Sequence, residues 1–60
     1  MKVTVLTPAV AEACGYITPA ERPYLVLTPE GRFAKASFTE AKDFAFTYVE
    51  AGLASGVSFL

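Results

Sequence analysis

Apolar and polar positions alternate first over Lys2–Leu6, where Val3 and Val5 point one way and Thr4 and Leu6 the other. A period of two over β-branched residues predicts a short strand, taken here as residues 2–7. Thr7-Pro8 closes it: Thr7 suits an N-cap, and Pro8 suits the first helical position, which needs no N–H donor. A short helix is predicted over 8–14, ended by Gly15, with Ala9, Val10, Ala13 and Cys14 turned inward. Tyr16 to Pro23 has no sustained period and reads as a loop or a single helical turn. Tyr24-Leu25-Val26-Leu27 is the strongest strand signal. Thr28-Pro29-Glu30-Gly31 follows as a type I turn with Gly31 at positive φ, and residues 32–37 form the return strand. With Gly31 as a bulge, Thr28 opposes Arg32 and Leu27 opposes Phe33. That register puts Leu25, Leu27 and Phe33 on one hairpin face.

Ser37-Phe38-Thr39-Glu40 has the spacing of a capping box and starts a helix over 38–51, ended by Gly52. Ala41, Phe44, Ala45, Tyr48 and Val49 recur at i, i+3, i+4, i+7 and i+8, the pattern of one buried face. Phe46 breaks it. At about 100° per residue it lies roughly opposite Phe44 and Tyr48. In the tail, Val57 and Phe59 alternate with Ser58 and predict a further short strand over 57–59. The fold class is therefore α+β, a single small domain over residues 1–60. A small antiparallel sheet (2–7, 24–28, 32–37, with 57–59) is packed by one main helix and one short helix. The Thr-Pro pairs at 7–8, 18–19 and 28–29 stand before different elements and act as punctuation.

Composition narrows the function. The chain has 60 residues, a hydrophobic content of 53%, a charged content of 18% and a net charge of -1. It is too apolar and too weakly charged for disorder. With one cysteine it makes no internal disulfide, and with no histidine a zinc site is not expected. Apolar runs are too short for a membrane span or a signal-peptide core, and the unpaired cysteine suits a reducing compartment, so the expected location is the cytoplasm.

Catalysis lacks its parts. No histidine serves as a base, and Cys14 at a helix C-terminus is poorly placed for a thiolate and is expected buried. Glu40 and Asp43, the best-spaced carboxylates, sit where first-turn acids are ordinary. No glycine-rich loop precedes a lysine, so no phosphate cradle forms. No enzyme activity, cofactor, metal or small-molecule substrate is expected.

A domain of this size holds only about 3–5 kcal/mol without a clamp, and both hairpin faces are apolar. Part of this surface is expected to be covered by another chain, with Leu25, Leu27, Phe33, Phe46, Phe59 and Leu60 as the partner-binding residues. The order of hairpin then helix over Tyr24–Ala51 resembles the integrase-arm DNA-binding folds in architecture. That resemblance implies binding through the 24–37 hairpin, but Arg32 and Lys35 are its only cations, so nucleic-acid binding is expected to be weak. In size and composition the chain resembles the small modulators that phages and mobile elements direct at host polymerases or CRISPR-type defence. The leading expectation is a non-enzymatic protein-binding module that occupies a partner surface; the alternative is a homodimeric structural module.

Overall fold

A computed structural model describes all 60 residues. The elements follow the order β1 (Lys2–Leu6), α1 (Pro8–Ala13), β2 (Tyr24–Thr28), β3 (Gly31–Lys35), α2 (Phe38–Glu50) and β4 (Gly56–Phe59). The sheet order is β3-β2-β1-β4. β1, β2 and β3 are antiparallel neighbours, but β4 runs parallel to β1, so the sheet is mixed where antiparallel pairing was expected. The length of α2 explains the change. Its 13 residues carry the chain about 20 Å back along the sheet. β4 must then start at the end where β3 started, and β3 already runs with β1.

The two helix starts form as their sequences dictate. Thr7 Oγ1 accepts the Val10 N–H at 3.4 Å, with Pro8 in the first turn of α1. Ser37 Oγ accepts the Glu40 N–H at 3.2 Å at the start of α2. α1 ends one residue early, because Cys14 is its C-cap. The cysteine is exposed, against the buried position expected, and Ala11 is the one buried residue of that helix.

The hairpin register differs by one residue from the sequence reading. Gly31 has φ 131° but takes a ladder position opposite Thr28 instead of standing outside as a bulge. The Thr28 hydroxyl locks this arrangement: it accepts the Glu30 N–H at 3.1 Å and donates to the Gly31 carbonyl at 2.9 Å. A one-residue slip turns every side chain of the return strand to the other face. Phe33 therefore opposes Val26, and Arg32 opposes Leu27.

Both sheet faces are covered. Under α2 lie Val3, Val5 and Val26 with Ala41, Ala45, Tyr48 and Ala54, and Tyr24, Phe44, Val49 and Val57 close the sides. Ala41 and Ala45 are fully buried, so the helix backbone sits close to the sheet. On the opposite face Leu6, Leu25 and Ala11 form a smaller cluster, flanked by Val10, Tyr16 and Leu27.

One hydrogen bond ties α2 to the hairpin turn. The Tyr48 hydroxyl donates to Glu30 Oε1 at 2.6 Å. This bond to Glu30 raises the phenol above its ordinary value of 10.0, against a smaller lowering by Thr28. The raised value means the folded state holds the proton more tightly than the unfolded chain. Its contribution to stability is complete below the unfolded value and is lost as pH rises through the folded one. Denaturant titrations between about pH 9 and pH 12 should show this alkaline loss. Glu30→Gln should shrink this alkaline loss by bringing the folded value back towards the unfolded one; an unchanged profile would show that the bond contributes nothing.

Candidate protein-interaction surface

Four of the eight large exposed apolar side chains, Phe38, Phe46, Phe59 and Leu60, collect at one edge of the fold. β4 is an edge strand, with β1 on one side and no strand on the other. Leu60 directs both its backbone groups at β1: its N–H donates to the Val5 carbonyl at 2.9 Å, and its carbonyl accepts the Thr7 N–H at 3.2 Å. In a parallel ladder, inward-bonding residues alternate with outward ones. The N–H and C=O of Val57 and Phe59 therefore point away from the sheet.

The side chains above this edge come from α2. Phe38, Lys42 and Phe46 follow one another at i, i+4 and i+8, a ridge on the β4 flank of the helix. Phe59 stacks against both aromatics of this ridge, with ring centroids at 5.6 Å from Phe38 and 6.4 Å from Phe46. Tyr24 adds an edge contact to Phe38 at 6.3 Å. Phe38, Phe46 and Phe59 keep 42%, 42% and 45% of their surface exposed, and Leu60 keeps 60%. Stacked rings that remain this open offer large apolar area at low entropic cost on binding.

The residues singled out from sequence divide by position. Phe46, Phe59 and Leu60 belong to this edge. Phe33 lies at the opposite edge, stacked on Phe44 at 5.1 Å, on the α2 face of the sheet. Its separation from Leu25 and Leu27 follows from the hairpin register. Leu25 is 5% exposed beneath α1, and Leu27 is half-buried beside it, so that pair is taken up internally. Phe38 escaped the sequence reading because its position in a capping box already explained it. The usable signal was its i, i+8 relation to Phe46.

The β3 edge has a different character. Arg32 and Lys35 lie along it; Lys35 Nζ is 4.0 Å from the Phe44 ring centroid, and the Arg32 guanidinium is 5.2 Å from that of Tyr16. Charged side chains on an outer strand discourage further strand pairing. β4, Gly-Val-Ser-Phe, carries none. A shallow cleft of about 390 Å³ lies beside Tyr16, Leu25 and Arg32, with Ile17 on its wall at 99% exposure.

No three or more Cys, Asp or Glu side chains gather as a metal-ligand group. No helix is long and apolar enough to cross a membrane. No family model matches this chain, and comparison with curated proteins and with solved structures yields no match.

Proposed function

We propose that this chain is a non-enzymatic protein-binding module that works by presenting the β4 edge and its aromatic flank to another protein. The observation that supports this is the coincidence of two features in one place. An uncharged edge strand offers unpaired backbone groups, and directly above it three stacked aromatic rings stay open to solvent. Strand addition uses the first feature for affinity and the second for side-chain anchoring. Lys42 on the ridge and Lys2 opposite Gly56 are the side-chain cations beside this edge, too few for the phosphates of a nucleic acid, which favours a protein partner.

Capture from a cell lysate on immobilised protein tests the reading. Phe46→Asp should abolish capture while the circular dichroism spectrum is retained, because Phe46 is exposed and outside both cores. Phe33→Asp, at the other edge, should leave capture intact. Capture that survives Phe46→Asp but fails with Phe33→Asp would transfer the function to the β3 edge. Mass spectrometry of the captured band reads whether the partner is a host enzyme of the polymerase or defence class.

A further inference from the structure

We propose that the β4 edge pairs with the β4 edge of a second copy of this chain, antiparallel about a two-fold axis through Ser58; this rests on the reading of that edge as a protein-binding surface. The strand is self-complementary by register. Its outward-facing residues are Val57 and Phe59, two positions apart. Antiparallel pairing of Val57 with Phe59 of the partner satisfies the outward N–H and C=O of both, and the two-fold generates the second such pair. Ser58 then meets its own copy at the dyad, on the face away from α2. There the close spacing of a non-hydrogen-bonded pair allows the two hydroxyls to hydrogen-bond. On the α2 face each Phe59 lies across from a Val57, beneath Phe38 and Phe46 of both copies. The two sheets become one continuous sheet with β3 at each outer edge.

Charge selects this pairing over the others available to two copies. β3 carries Arg32 and Lys35, charges of the kind that discourage strand addition at a sheet edge, whereas the β4 strand carries none. Area sets the strength. The exposed portions of the three rings amount to roughly 500 Å² over two copies, and with the strand backbone the contact stays below the ~1,200 Å² of a standard stable interface. The dimer therefore forms reversibly, with a dissociation constant in roughly the micromolar to millimolar range.

Sedimentation equilibrium of the full chain tests this. The weight-average mass should rise towards twice the chain mass as concentration increases through that range. A chemically synthesised chain with an N-methyl group on Val57 keeps every side chain and every bond to β1. It should self-associate at least about 100-fold more weakly, because two interstrand bonds are lost and the methyl group blocks approach. Ser58→Glu is an independent variant: two carboxylates meet at the dyad, and dimerisation should fall and partly recover in high salt. A chain that stays monomeric at all concentrations overturns the proposal, as does association that survives both changes. Lysate capture that still depends on Phe46 in a monomeric chain would keep the protein-binding reading and assign the edge to a foreign strand. Loss of that dependence as well would remove both.

Discussion

Leu6→Ala should leave the chain largely unfolded at room temperature. Leu6 is the largest of the fully enclosed side chains, at 2% exposure, and it anchors the small cluster with Leu25 and Ala11. Truncating a buried leucine removes about 2–5 kcal/mol, and an unclamped domain of this size has only ~3–5 kcal/mol to lose. The cluster has three buried members, so Leu6 supplies a large share of its buried apolar surface. Leu6→Met, which conserves volume, should cost less than about 1.5 kcal/mol. Urea denaturation followed by far-ultraviolet circular dichroism separates the two. A loss below about 1 kcal/mol for Leu6→Ala would mean that the α1 layer is not a working core.

Ala45→Leu should destabilise by about 3 kcal/mol, the upper end of the range for overpacking. Ala45 is fully buried between α2 and the sheet, and with Ala41 it sets how closely the helix approaches Val3, Val5 and Val26. Added methylenes have nowhere to go unless the helix lifts, and lifting it would open the Tyr48–Glu30 hydrogen bond and the Phe44–Phe33 stack at the same time. Thr47→Leu, on the exposed face of the same helix, should change stability by less than about 0.5 kcal/mol. Equal effects of the two substitutions in thermal denaturation would refute the close-packed arrangement.

Element identity was legible in the sequence because it is locally encoded. Thr7-Pro8 and Ser37-x-x-Glu40 mark both helix starts, and the spacing of Ala41, Ala45 and Tyr48 marks the buried face of α2. What escaped depends on interactions between distant or competing groups. The hairpin register turned on one side chain: Thr28 closes the turn through its hydroxyl and pulls Gly31 into the ladder, which moved Phe33 to the α2 face. The direction of β4 depends on where α2 delivers the chain, a property of the whole topology that the period of Val57-Ser58-Phe59 does not contain. Of the candidate surface, Phe46 was visible as an aromatic on the wrong side of its helix, and Phe59 and Leu60 as an apolar tail. Their meeting with Phe38 required the parallel placement of β4.

Amide hydrogen exchange at Val57 and Phe59, followed by nuclear magnetic resonance over a concentration series, probes the outer rim of β4 residue by residue. Those two N–H groups should exchange quickly in dilute solution and become protected as the chain is concentrated, while Ser58 and Leu60, bonded to β1, stay protected throughout. Rapid exchange at Val57 and Phe59 under every condition, including with a captured partner bound, would contradict the assignment of this edge as the place where another chain joins.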